Sequence, residues 1–528
     1  MRDFQLPGRS LVYASKGVCA TSHPLAASVA VDALKAGGNA VDAGVAAAFL
    51  LGQCEPAMTG LAGDCFALYA PPSGEIIGLN ASGRAPAAID PAELRARHGD
   101  AIDKRSADSV TVPGAVAGLC RLLEDHGRLG RDRVLAPAIH YAEEGVPVAP
   151  RAAFDWRVAM ENLQGAARGF YGKDGGPYAA GDLFRQPGVA EVLRQIAQHG
   201  AKGFYEGPVA EDLVASLQAQ GGVHTLDDFA SVAAEYVDPI STTYAGHDVI
   251  ELPPNGQGAV ALLMLDMLAQ FDLKSLDPFG AERIHIEAEA AKLAYDARDR
   301  LVSEPASIGD GLDRLRADGL AEKLAAQIDR GKARSPGEIS VIGAAQHRET
   351  VYLCVVDADG GVLSLIYSIF DSFGSGIASE KYGLLFHNRG AGFTLEAGHR
   401  NEIGPGKRPM HTIIPGMLRK NGRVVMPFGV MGGQYQAAGH ARLITNMIDF
   451  GFDAQSAIDA PRSFPQDGLL RVEHTHSALT LETLTGLGHE LERVETPIGG
   501  AQAIWIDHER GVLAGASDPR KDGCAIGY

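Results

Sequence analysis

The chain of 528 residues lacks the marks of several common classes. Its six cysteines (Cys19, Cys54, Cys65, Cys120, Cys354 and Cys524) are scattered with no CxxC pair. That argues against a metal framework or a disulfide scaffold and for reduced, buried thiols. No stretch of about 18 apolar residues runs uninterrupted, so no membrane span is expected. Met1 to Arg9 contains no apolar run of signal-peptide length, and a cytoplasmic enzyme is the expectation. No long run of one charge sign occurs. With hydrophobic residues at 46% and charged residues at 21%, a large core is expected rather than disorder. The net charge of −18 disfavours nucleic acid and anionic membrane as partners. GxSxG and Walker A patterns are missing, although Gly404-Pro405-Gly406-Lys407-Arg408 superficially resembles the latter. No internal repeat at a solenoid period is visible.

What is present is a chain punctuated by 65 glycines and 28 prolines, long enough for about two to four domains. Helical spacing runs from His23 to Phe49 and is broken by Gly37-Gly38-Asn39. Strand-like text follows at Cys65 to Tyr69 and Glu75 to Leu79. The middle, from Leu119 to Ala344, reads mostly helical, with a strand at Asp248 to Leu252 and a long helix from Arg283 to Leu301. Ala306 to Gln346 is polar and weakly patterned, an exposed and flexible approach to residue 350. Strands at both ends with helices between predict an α/β (α+β) protein of stacked layers rather than a wholly parallel, doubly wound sheet.

Two motifs have plain readings beside sharper ones. Gly256-Gln257-Gly258-Ala259-Val260-Ala261 is a GxGxxA after a strand and before a helix. Pro253-Pro254 spoils the tight turn that a dinucleotide would need, so a Gly-rich turn is the plainer reading. His285 and Glu289 share one helix face at metal-binding spacing, but no second His follows as in HExxH.

The strongest signal is a hairpin. Glu349-Thr350-Val351-Tyr352-Leu353-Cys354-Val355-Val356-Asp357 and Val362-Leu363-Ser364-Leu365-Ile366-Tyr367-Ser368 flank Ala358-Asp359-Gly360-Gly361, two β-branched runs about an Asp-Gly turn. A Thr at the head of a strand is ordinary unless the chain is cut before it. Its α-amine, with a pKa of roughly 8, then lies beside its own hydroxyl and serves as the base that activates it. Gly429-Val430-Met431-Gly432-Gly433-Gln434, between a strand and a helix, exposes consecutive N–H groups. Such groups make either an oxyanion hole or a tight turn at a helix start.

These pieces, in this order, resemble the γ-glutamyltransferase family of N-terminal-nucleophile hydrolases over nearly the whole chain. The likeness also rests on Ala36-Gly37-Gly38-Asn39-Ala40-Val41-Asp42-Ala43, Val112-Pro113-Gly114-Ala115-Val116-Ala117-Gly118 and Lys292-Leu293-Ala294-Tyr295. Phe373-Gly374-Ser375-Gly376, Ala460-Pro461-Arg462 and Gly515-Ala516-Ser517-Asp518-Pro519-Arg520 complete it. The resemblance implies a four-layer αββα sandwich and a precursor that cuts itself between Glu349 and Thr350. The products are a large subunit (1–349) and a small one (350–528), with a further pairing into a heterotetramer left open. It implies Thr350 as nucleophile, Ser368 as the hydroxyl beside it, and Gly432 and Gly433 as oxyanion donors. No metal or organic cofactor is implied. The partners are a small-molecule amide and water or an amine acceptor.

The substrate pocket departs from the family pattern. Members that grip glutamate use an Arg within the segment matching Asn80 to Pro86. Here Ser82 stands there and the nearest arginine is Arg84. Phe370 replaces the expected Asn, Arg389 and Gly392 replace the Gln and Asp that hold the substrate amine, and His411-Thr412 replace a pair of serines. The loop that covers the site in some members is short between Phe393 and Gly404. Trading an anion for a cation favours a carboxylate without the α-amine. Oxamate amidohydrolase and cephalosporin (glutaryl) acylase types fit that expectation, and glutathione hydrolase-like members stay open. The rivals from other classes are an uncut, non-catalytic binding scaffold and a nucleotide-dependent oxidoreductase resting on Gly256 and Gly258.

Overall fold

The Val351–Val356 strand alternates between two cores. Val351, Leu353 and Val355 pack among helices, while Tyr352, Cys354 and Val356 pack against a second sheet. Val362–Ser368 divides in the same way, with Leu363, Leu365 and Tyr367 on the helix side and Val362 and Ile366 between the sheets. Burial on both faces explains why both strands read as near-continuous apolar runs, even though they pair antiparallel.

This hairpin sits in the middle of a seven-stranded antiparallel sheet. In spatial order the strands are Cys524–Gly527, Val18–Thr21, Val351–Val356, Val362–Ser368, Asp64–Ala70, Ile77–Ala81 and Glu235–Val237. A second seven-stranded sheet lies against it, in the order Val12–Ala14, Val512–Ser517, Gly500–Asp507, Arg423–Met431, Gly416–Lys420, His247–Glu251 and Ile240–Tyr244. The computed structural model describes residues 8–72, 74–335 and 350–528.

Helices cover both outer faces, which gives the expected αββα layering. Pro24–Lys35 and Ala40–Cys54 pack on the hairpin sheet. Between these two helices the backbone turns at Gly37 (φ +92°). Asn39 then caps the second helix reciprocally with Asp42. On the far face Gly258–Leu268, Ala281–Leu301 and Gln436–Ile448 pack on the second sheet. The stretch expected to be mostly helical also supplies the strands Glu235–Val237 and Ile240–Tyr244, and the strand expected at 248–252 is His247–Glu251. The approach expected to be flexible forms three short helices at Pro305–Ile308, Gly311–Leu315 and Leu320–Ala325; its remainder from 336, with Glu349, lies outside the described residues. Among the described residues no helix is long and apolar enough to cross a membrane.

Between the two sheets, Gly429 faces Tyr352. A Cβ on Gly429 would stand 2.3 Å from the ring. Gly429→Ala therefore forces overpacking between the sheets and lowers stability by about 1–3 kcal/mol, read as a fall in the chemical-denaturation midpoint.

Candidate active site

Thr350 continues the strand that starts at Val351, and Val351 pairs with Tyr367, so the same register sets Thr350 opposite Ser368. Ser368 in turn pairs with Asp64 on the next strand. By alternation Thr350 and Ser368 share the face of Tyr352 and Ile366, toward the second sheet. Thr350 is fully buried. Its Oγ1 donates to Ser368 Oγ at 3.5 Å and accepts from Gln436 Nε2 at 3.4 Å. Ser368 Oγ also accepts from the Phe370 N–H at 2.9 Å.

Gln436 opens the helix that follows the Gly-Gly turn, so the turn is carried to Thr350 by its own continuation. Gly432 has φ +116° and Gly433 +56°, conformations that suit glycine. A Cβ on Gly432 would lie 2.8 Å from Gly499 Cα. The Gly433 carbonyl accepts from Gln257 Nε2 at 3.2 Å, and the same amide donates to the Thr412 carbonyl at 2.7 Å. Gln257 Oε1 accepts from Arg298 Nη1 at 2.9 Å, and Arg298 also donates to Gln434. The glycines of the GxGxxA motif thus flank a side chain that braces the Gly432-Gly433 turn. That use of the loop replaces the dinucleotide reading.

A cavity is lined by Phe370, whose N–H donates to Ser368 Oγ, and by Thr412, Gln434, Arg298, Asp299 and His399, among others. Phe370 and Thr412 form part of its wall, with Phe370 held at φ +76°, a strained conformation for that residue. Arg389 stands behind this wall, fully buried. Its guanidinium stacks on the Phe370 ring at 4.2 Å and donates to Thr412 Oγ1 at 3.1 Å. Its Nε and Nη2 have no hydrogen-bond partner among the described residues. Burial lowers Arg389 to about 9 against the pull of Asp64 and Asp371. Gly392 lines the same cavity.

Two expectations change. Arg84 is not brought to this cavity. Gly83 packs so closely on Val112 that a Cβ there would lie 1.6 Å from the Val112 carbonyl oxygen. Beyond it, Arg84 donates to Glu235 at 3.1 Å, Glu304 at 3.3 Å and the Gly406 carbonyl at 3.0 Å, in a half-exposed cluster. Ser82 is buried among Asn80 and Asn255. Secondly, Arg389 is not an isolated cation. Asp64, unnoticed in the sequence, lies 3.6 Å from its Nε and 3.2 Å from both His387 and His411. The other Asp64 oxygen accepts from Gly83 N at 2.8 Å and Gly114 N at 3.3 Å. Burial alone would raise Asp64, but His387 and His411 hold it well below the usual carboxylate range. Asp64 thus stands between His411 and Arg389, and burial with Arg389 nearby lowers His411 to about 3.

His285 and Glu289 do meet a second histidine, His489, with ligand atoms within 4.8 Å of one another. Each is already engaged. His285 contacts His489 at 2.8 Å and the Asp329 carbonyl at 2.7 Å, while Glu289 accepts from Lys292 at 2.7 Å and from the Arg334 N–H at 3.2 Å. A hydrogen-bonded cluster accounts for them.

Residues 26–528 match the family profile described as gamma-glutamyltranspeptidase. The chain is 35% identical to a glutathione hydrolase-like proenzyme of Bacillus subtilis, covering 98% of this chain and 99% of that protein. It is 33% identical to the oxamate amidohydrolase proenzyme of Klebsiella pneumoniae, covering 97% and 98%. The crystal structure of a cephalosporin acylase from Bacillus halodurans superposes with a TM-score of 0.93 at 38% identity, covering 100% of this chain and 99% of that one.

Two outcomes follow from this electrostatic arrangement. Asp64→Ala strands a buried cation and costs about 3–5 kcal/mol, measured by denaturant titration. His411 near 3, and His23 and His224 near 4, are all held neutral first of all by burial. Unfolded, each takes a proton near pH 6.5, so their contribution is complete above that pH. It is lost as the pH falls from 6.5 toward 4, by up to about 1.4 kcal/mol per histidine per unit, which a pH series of denaturation midpoints reads directly.

Proposed function

Because the chain belongs to the gamma-glutamyltranspeptidase family and is an autoprocessed N-terminal-nucleophile amide hydrolase, we propose that Thr350 is its nucleophile, with subunits 1–349 and 350–528. The observation that carries this reading is the Thr350 hydroxyl held between Ser368 Oγ and Gln436 Nε2, at the head of a doubly buried strand.

In the unbroken chain the Thr350 nitrogen is an amide. Oγ1 attacks the carbonyl carbon of Glu349, the C–N bond breaks, and the acyl group moves from nitrogen to oxygen. Water cleaves the resulting ester, leaving a carboxylate on Glu349 and a free α-amine on Thr350. In the mature enzyme that amine takes the hydroxyl proton as Oγ1 attacks a substrate amide. The Gly432 and Gly433 N–H groups face the developing oxyanion, the role in which such donors contribute most. The proton passes to the leaving amine. The acyl group, now an ester on Thr350, is released to water or to an acceptor amine.

The acyl group rests against Phe370 and Thr412, with Arg389 behind them. A cation behind that wall, its Nη2 without a partner among the described residues, suits a small amide whose acyl group carries a carboxylate. Relatives named for oxamate and cephalosporin support a pocket outside the glutamate pattern. The glutathione hydrolase-like relative keeps γ-glutamyl amides as the second reading.

Thr350→Ala leaves one band on a denaturing gel and no activity. The wild type gives two bands, and the smaller one begins Thr-Val-Tyr on N-terminal sequencing. Thr350→Ser retains slow cutting. Fully active protein with an intact 349–350 bond overturns the assignment of the nucleophile. Equal kcat/KM for γ-glutamyl amides and for short acidic amides overturns the role given to Arg389.

A further inference from the structure

The cavity has a second wall that the acyl pocket does not explain. Asp299, near the end of the Ala281–Leu301 helix, lines it with a side chain only 7% exposed. One carboxylate oxygen, Oδ1, pairs with Arg298 at 2.7–2.8 Å. The other, Oδ2, is buried and has no hydrogen-bond partner among the described residues. Opposite in sign of hydrogen bonding is His399, which lines the same cavity. Its Nδ1 accepts from the Asn401 N–H at 3.1 Å, so the neutral ring carries its proton on Nε2. That Nε2 is likewise buried and without a partner among the described residues.

A buried donor and a buried acceptor left open on one cavity wall are costly unless a ligand completes them. Asp299 and Arg298 form a neutral pair, so the wall does not call for a charged group. It calls for one N–H and one C=O. Burial raises the Asp299 carboxyl, with Arg298 and His399 opposing, as expected for an oxygen that lacks its donor. Arg298 also binds Gln257 and Gln434, which brace the Gly432-Gly433 turn. Asp299 and His399 share the cavity with Phe370 and Thr412, against which the acyl group is proposed to rest, and so are left for the remainder of a bound substrate.

Resting on the proposed acyl-transfer reading, we propose that Asp299 Oδ2 and His399 Nε2 form a leaving-group subsite for a carboxamide. The carboxamide N–H donates to Asp299, and its carbonyl accepts from His399. The preferred leaving amine thus itself carries an amide, as in an amino-acid amide or short peptide, rather than an alkyl chain.

The test uses processed wild-type enzyme and two amides of malonic acid. One has glycinamide as the leaving group; the other has isobutylamine, which matches its shape without hydrogen-bonding groups. Wild type is expected to prefer the glycinamide compound in kcat/KM by about tenfold or more, the scale of two buried hydrogen bonds. Asp299→Asn keeps an oxygen for Arg298 and turns the open acceptor into a donor, so it abolishes that preference. His399→Ala reduces the preference, and His399→Gln, which still offers an N–H, restores part of it. Equal preference in wild type and variants, or a parallel loss with both amides, overturns the subsite. Failure of the hydrolase reading looks different, as no acyl adduct on Thr350 with either amide. The subsite is then judged by calorimetric binding of acetylglycinamide alone, where equal or absent binding in wild type and Asp299→Asn overturns it.

Discussion

The central hairpin is buried on both faces, and that constraint orders everything around it. A slip of one residue would carry Tyr352 and Cys354 into the helical layer and Leu353 into the other sheet. Because neither exchange is tolerable, the register holds. It sets Thr350, Ser368 and Asp64 side by side on three adjacent strands. The hydroxyls are thereby aligned by packing some distance along the strands rather than by local contacts alone. The second sheet completes the arrangement by ending at Met431 and passing through two glycines into the helix that supplies Gln436.

Charge is distributed around this frame in buried compensating sets. Asp64 gathers His387, His411 and Arg389 behind Phe370 and Thr412, and Arg298 pairs with Asp299 in the lining of the cavity. Each set is close to neutral as a group, but among the described residues Arg389 Nη2 and Asp299 Oδ2 are left without partners, as is His399 Nε2 in the same lining as Asp299. Buried pairs of this kind add little net stability, and their value lies in fixing orientation. On the proposed reading, a site arranged in this way selects ligands by hydrogen-bond pattern as much as by charge.

What the sequence disclosed were features encoded locally. The hairpin shows in its β-branched runs, the long helix in its periodicity, and the Gly432-Gly433 turn in its place between a strand and a helix. What it concealed depends on distant pairing. Asp64 is an unremarkable acid before a strand until His411, 347 positions away, comes to lie beside it. Gln436 reads as a polar residue at a helix start, and Asp299 as one more charge on a helix face. Arg84 misled because nearness in sequence to Ser82 says nothing about which way the chain leaves Gly83. Arg389 was visible, but the partner that offsets it was not.

Thr350 has no exposed surface while the polypeptide is whole. On the proposed mechanism no foreign amide can compete for its oxygen at that stage, so the first bond each molecule breaks is one of its own. The start of activity is then timed by folding, with no signal from substrate, and the event is irreversible. A population of these molecules would carry a record of its age in the ratio of whole to divided chains.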